Sequence, residues 1–139
     1  MDVHINYLAV LLAALSSMVV GMIYYAPAVF GKKWMALAKI DEKRYQKELP
    51  RLMPVMFVAA LVVAYVMAHV IYAEHRFFGN SWLSDSVSTA FWLWLGFSAT
   101  TLVVHNALEQ RPTKLTFISV GNRLLSFLAM GLILGWLHP

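Results

Sequence analysis

Four long apolar stretches, separated by polar segments, dominate the pattern of hydrophobic and polar positions along the chain. They cover residues 5–29, 52–73, 87–108 and 115–137. Each is long enough to cross a hydrocarbon core, which takes about 20 helical residues. The alternation typical of membrane β-barrel strands is missing. The pattern predicts an all-α integral membrane protein: a four-transmembrane-helix bundle that forms one domain over residues 1–139.

The composition supports this prediction. Hydrophobic residues make up 60% of the chain and charged residues only 13%, whereas soluble domains have about 45–50% and about 25%. A domain of this length leaves roughly a third of its chain surface exposed, so its core cannot hide so many apolar side chains. The surplus apolar surface must face lipid.

The distribution of Lys and Arg predicts the orientation. Of the 11 such residues, seven lie in the loop 30–51 and two in the loop 109–114, while the loop between the second and third spans has one. The positive-inside rule places the first and third loops in the cytoplasm and both termini outside. We expect a multi-pass protein of a bacterial inner membrane. The basic residues flank apolar segments, so we expect no nucleic-acid partner for this net charge of +4.

The first loop has a pattern of its own. "WMALAKIDEKRYQKEL" mixes apolar and charged positions and suits a short amphipathic helix between the first two spans, with its basic face on anionic lipid headgroups. A solvated linker is the alternative. Lys32, Lys33 and Trp34 are candidate contacts with the lipid interface. Pro50 and Pro54 are expected to mark the entry into the second span, since proline is tolerated in a first helical turn.

Small residues recur along each span, and the fourth contains a GxxxG pair, Gly131 and Gly135. Such residues let membrane helices approach closely, which favours a tight bundle. The sequence leaves open whether these small residues serve packing within one chain or contact between subunits. We expect further assembly into a homo-oligomer.

Polar residues within the third and fourth spans are the strongest functional signal. The short loop 109–114 makes these helices antiparallel neighbours, so residues whose numbers sum to about 224 lie at similar depth. Two polar stripes can then meet in a seam. Its candidate ligand-binding or pore-lining residues are Arg123, Asn122, Ser119, His105, Asn106 and Thr101, together with Tyr24 and Ser17 on the first span.

Arg123 is the residue that most needs an explanation. It lies roughly 12 Å inside the fourth span, at 1.5 Å per residue. Facing lipid, it would cost at least about 2.5 kcal/mol, so we expect it to point into the bundle. Its permanent charge suits an anionic small molecule or lipid headgroup. The alternative is a structural role, in which Arg123 locks two helices together with His105 and Asn106.

Other kinds of chemistry find little support. Cysteine is absent, which excludes disulfides and thiolate catalysis. His69, His75 and His105 lie at different depths without metal-ligand spacing, so we expect no metal site. His4, His75 and His138 can meet on the outer side, but this is a weak signal. We expect no cofactor and assign no catalytic residue.

The stretch "GMIYYAPAVFGKKW" and the later segments "WLGFSATTLVVHNALEQRPTKL" and "GNRLLSFLAMGLILGW" resemble a known family. This is the family of small four-span bacterial membrane proteins catalogued as domain of unknown function 1761. The residues that match its opening signature are Gly21, Tyr24, Tyr25, Pro27, Phe30, Gly31, Lys32 and Trp34. The resemblance implies four spans and no particular activity.

Three functions remain possible from the sequence. The first is a small oligomeric transporter, channel or binder of an anionic small molecule or lipid, which would act through the seam. The second is a non-catalytic assembly or stress protein that acts through its basic first loop. A membrane-embedded enzyme of the glutathione-dependent type is the third and the least favoured, because the second span is apolar apart from His69.

Overall fold

The computed structural model describes residues 3–139. The helices of this part are α1 (Tyr7–Tyr24), α2 (Gly31–Ala38), α3 (Glu42–Phe78), α4 (Trp82–Leu93), α5 (Thr100–Leu108) and α6 (Thr113–Trp136). A π-helical segment, Trp94–Ala99, joins α4 to α5 without a break. No strand occurs among the described residues, and the predicted all-α architecture is confirmed.

In the described part of the chain, four helices are long and apolar enough to cross a membrane: α1, α3, the continuous helix Trp82–Leu108, and α6. They correspond to the four predicted spans, and the prediction of a four-helix membrane bundle is confirmed. One end of the bundle carries residues 25–51 and 109–112 and is called the basic end here. The other end, called the opposite end, carries the turn 79–81 and residues 3–6 and 137–139.

Capping residues explain where the helices begin and end. Asn6, Asp41 and Ser81 each accept a hydrogen bond from a backbone N–H in the first turn of the helix that follows. Gly79 ends α3 with a left-handed backbone at φ 68°. Asn6 also donates from Nδ2 to the carbonyl oxygen of Leu137 at 2.9 Å, which ties the start of α1 to the end of α6.

The connection between the first two spans differs from the predicted picture. A short helix, α2, does lie between them, but the second half of the predicted amphipathic segment belongs to α3. The Asp41 cap starts α3 ten residues before the predicted second span. Pro50 and Pro54 therefore lie inside the helix instead of in its first turn.

The helices pack as a ring in which α3 and α6 lie diagonally. α1 contacts both of them on one side, and α4 contacts both on the other. The buried apolar core lies in the half near the opposite end, where α1 contributes Ala9 and Ala13 and α3 contributes Ala64 and Met67. Small side chains let the backbones approach closely there.

The GxxxG pair serves packing within the chain. A Cβ atom on Gly131 would lie 2.7 Å from Ala90 Cβ, and one on Gly135 would lie 2.8 Å from Ser86 Cβ. Both glycines thus press against α4. In the basic half the ring is looser, because α5 packs on α6 but makes little contact with α3.

Candidate ligand-binding cavity

A cavity of about 910 Å³ lies in the basic half of the bundle, between α1, α3 and α6. Sites that enclose small molecules measure about 300–1,000 Å³, so this cavity is large for a chain of this size. It exists because the small buried residues that draw the helices together are confined to the other half. Beyond the last of these small residues, the helices lie further apart and leave space.

One wall of the cavity is polar. Ser119, Asn122, Arg123 and Ser126 on α6 line it, and their three- and four-residue spacing places them on one face of the helix. Ser17 lines it from α1. The cavity therefore has a polar face at membrane depth.

Two groups on this wall lack partners. Arg123 is exposed, and within residues 3–139 it forms no salt bridge with any carboxylate. The Oδ1 atom of Asn122 is buried and has no hydrogen-bond partner in the same part of the chain. Buried polar atoms in folded proteins are nearly always hydrogen-bonded, so an unpaired one in a cavity wall calls for an explanation. The wall carries one positive charge and no negative charge.

The remaining walls are apolar and adaptable. Six of the eight methionines of the chain line the cavity: Met18, Met22, Met35, Met53, Met56 and Met130. Methionine is flexible and polarizable, and it adapts to apolar ligands of different shape. A ligand in this cavity would meet an apolar surface on most sides and polar groups on one.

An aromatic cluster covers the cavity at the basic end. It consists of Tyr24, Tyr25, Phe30, Trp34 and Tyr45. Tyr24 contacts Tyr25 and Phe30, and Trp34 contacts Tyr25 and Tyr45, with ring centroids 4.7 to 5.6 Å apart in each pair. Tyr25 and Tyr45 line the cavity, and the Tyr25 side chain lies near Ser119 and Arg123. The helix α2 runs across this end and contacts α6. The segment that resembles the family signature thus builds the floor of the cavity.

The predicted seam between the third and fourth spans divides into two parts. Arg123, Asn122, Ser119 and Ser17 all line the cavity, but this cavity faces α1 and α3 as well as Leu102 of α5. These four residues are therefore brought together, in a different place from the one expected.

The residues of the third span lie outside the cavity. Thr101 is exposed and donates to the Phe97 carbonyl oxygen of its own helix, and exposed His105 pairs with Glu109 at 3.2 Å. Asn106 is buried and donates from Nδ2 to Thr116 Oγ1 at 3.1 Å, which joins α5 to α6. With 3.6 residues per turn, Asn106 points about 100° away from His105, and the two side chains have different surroundings.

The other predicted residues have separate positions. Tyr24 stacks on Phe30, and its hydroxyl lies against Gly121 of α6, beside the cavity. Lys32 and Lys33 are exposed on α2. Trp34 is half-buried between Tyr25 and Tyr45 in the aromatic cluster.

A polar network at the opposite end was not foreseen. Asp85 is only 2% exposed, and its carboxylate lies 2.8 Å from His75 Nδ1 and accepts from Asn80 Nδ2 at 3.0 Å. Nearby, Thr89 donates to the Glu74 carboxylate. The network joins α3 to α4 around their short turn. From the sequence, residues 74–85 are expected to form a polar loop between the second and third spans; His75 and Asp85, on either side of "FGNS", were a usable signal for this network.

At the opposite end of the bundle, histidine side chains stack on an aromatic ring. His75 stacks on Trp82 with centroids 3.7 Å apart, and Trp82 stacks on His138 at 5.1 Å. Within residues 3–139, no group of three or more His, Asp or Glu side chains is arranged to hold a metal ion. The stacked rings of His75, Trp82 and His138 link the end of α6 to the turn between α3 and α4.

Together the fold and the cavity define a multi-pass, all-α membrane protein. One half of its bundle contains a large cavity with a polar wall on α6. The sequence profile of the family described as "Protein of unknown function (DUF1761)" matches residues 8–135. The chain belongs to this family, as its signature suggested. No curated protein and no solved structure matches the chain.

Proposed function

We propose that the protein binds an anionic ligand in the cavity at the basic end, as a binder or as the binding step of a small transporter. The observation that carries this proposal is Arg123, a permanent charge that pairs with no carboxylate of residues 3–139, on the wall of a cavity of about 910 Å³. Uncompensated charge inside a membrane is costly and usually marks function. An anion would offset that cost.

The neighbouring side chains suit this role. Ser119, Ser126 and Asn122 supply hydrogen-bond donors on the same face of α6. Seven further basic residues in the segment 30–51 lie at the same end and would raise the local concentration of anions. In a transporter, the packed core near the opposite end would have to open to release the ligand.

A binding titration tests the proposal. The purified protein in maltoside micelles is titrated with 1-palmitoyl-lysophosphatidate and, as the uncharged comparison, with 1-palmitoylglycerol, which has the same acyl chain and no phosphate. We expect Arg123→Gln to weaken binding of the anionic probe about tenfold or more, since a hydrogen bond to a charged group contributes about 1.5–3 kcal/mol. Binding of the uncharged probe should change little.

Lys114→Gln is the matched control, because Lys114 is an exposed cation on the same helix that does not line the cavity. It should bind the anionic probe as the natural chain does. Equal affinities of the natural chain and Arg123→Gln for the anionic probe would refute the proposal.

A further inference from the structure

Packed elements border the cavity on three sides. Toward the opposite end it meets the packed core of Ala60, Ala64 and Met130. On the α1 side, α1 packs against both α3 and α6. At the basic end, α2 and the aromatic cluster lie across it, and Met35 of α2 forms part of the wall.

The remaining side lies between α3 and α5. These two helices make little contact, although α5 packs on α6. Leu102 is the residue of α5 that lines the cavity, and Val55 and Met56 line it from α3. Val55 is 67% exposed and Met56 48% exposed, so this rim faces outward as well as inward. In a membrane, an opening on this side of the bundle faces acyl chains.

The chemistry of the walls matches what such an opening would admit. A soluble anion needs hydrogen-bond partners on every side. A polar group of the anion that lies against an apolar wall without a partner costs free energy. Here the one charged side chain and a cluster of polar ones lie on a single face of α6, and the methionine-rich walls are mainly apolar. An amphiphile fits both, with its charged group on one wall and its chain on the others.

We propose, on the basis of the function proposed above, that the ligand is an anionic lipid from the leaflet at the basic end. It enters sideways between α3 and α5, places its phosphate or carboxylate beside Arg123, and lays an acyl chain along the methionines. The Arg123 side chain is long enough to reach toward the headgroup region, as arginines near membrane interfaces do. The aromatic cluster then covers the ligand on the aqueous side.

Two other occupants are possible for this opening, and each has its own signature. A soluble anion would bind without an acyl chain. A second copy of the chain would fill the opening with protein, and the assembled form would then carry no lipid.

The first arm of the test compares 1-palmitoyl-lysophosphatidate with glycerol 3-phosphate, which has the same headgroup and no chain. We expect the lipid to bind about 100-fold more tightly or better, since each buried methylene adds to the affinity. If glycerol 3-phosphate binds as tightly and in an Arg123-dependent way, the lipid is the wrong ligand while the anion site stands. If neither probe depends on Arg123, the proposed function itself fails.

The second arm blocks the opening. Leu102→Trp should lower the affinity for lysophosphatidate about tenfold or more, while Leu108→Trp, at a position on the same helix that is 80% exposed and does not line the cavity, should leave it unchanged. Met56→Trp repeats the test from α3 if the first variant folds poorly. Normal binding by the Leu102 and Met56 variants, or a lipid-free dimer of the natural chain in native mass spectrometry, would overturn the inference.

Discussion

Gly31 lies directly against the main-chain carbonyl of Tyr25. A Cβ atom at residue 31 would overlap the Tyr25 oxygen and lie 2.9 Å from the carbonyl carbon. The N–H of Gly31 donates to the Ala26 carbonyl oxygen at 3.0 Å, so the chain turns sharply after α1. This contact directs α2 across the basic end of the bundle. A single hydrogen atom in place of a side chain thus allows the floor of the cavity to form.

Gly31→Ala should therefore displace α2. Because the clash is with backbone atoms of a tight turn, we expect it to lower the free energy of unfolding by about 2 kcal/mol and to weaken binding of lysophosphatidate. The measurement is unfolding in a sodium dodecyl sulfate titration, followed by circular dichroism. Gly96→Ala is the control, since a Cβ there meets nothing within 4 Å. A Gly31→Ala variant as stable as this control would contradict the role of the contact.

The network at the opposite end should contribute to stability. His75→Ala removes the imidazole that lies 2.8 Å from the buried Asp85 carboxylate and leaves that group with Asn80 as its side-chain partner. An under-satisfied buried polar group costs about 1–3 kcal/mol, so we expect a loss in that range in the same titration. Arg44→Ala removes an exposed ion pair with Glu48 and should change stability by less than about 1 kcal/mol. Equal effects of the two substitutions would show that the network does not hold α3 to α4.

Gly131→Val separates packing within the chain from contact between subunits. Its larger side chain would meet Ala90 and Ser86, so we expect a loss of stability of about 2 kcal/mol or more. The mass of the folded fraction, measured by light scattering with correction for detergent, should be the same as for the natural chain. A change in subunit number without a loss of stability would place the glycine pair at a subunit interface instead.

The absence of cysteine makes the predicted orientation testable with single reporters. Lys43→Cys and Asn80→Cys introduce thiols at exposed positions on the two ends of the bundle. With loops 30–51 and 109–114 in the cytoplasm, a membrane-impermeant maleimide added to intact cells should label position 80 and spare position 43 until the cells are opened. The reverse pattern would contradict the positive-inside assignment.

The sequence predicted the helices well because their signals are local. Four apolar stretches, a few caps and the turn residues determine where spans lie, and hydropathy does not depend on which helices become neighbours. The polar face of α6 was predicted for the same reason: Ser119, Asn122 and Arg123 share it through helical spacing alone.

The partners of that face could not be predicted. Which helix faces Arg123 depends on how the ring closes, and the short loop after Leu108 suggested α5, whereas α1 and α3 supply most of the cavity wall. The Asp85–His75 contact was missed because its two residues lie on different helices, where only the turn geometry brings them together. Whether the cavity residues bind a ligand stays a prediction.

Native mass spectrometry of the protein released from nanodiscs tests whether the cavity selects an anionic lipid through Arg123. The nanodiscs contain anionic and zwitterionic phospholipids in equal amounts, and the natural chain is compared with Arg123→Gln and with the Lys114→Gln control. We expect the natural chain and the control to retain an anionic lipid, whose mass identifies it, and Arg123→Gln to lose this preference. The same retained lipids in all three proteins would contradict this expectation and leave Arg123 with a structural role.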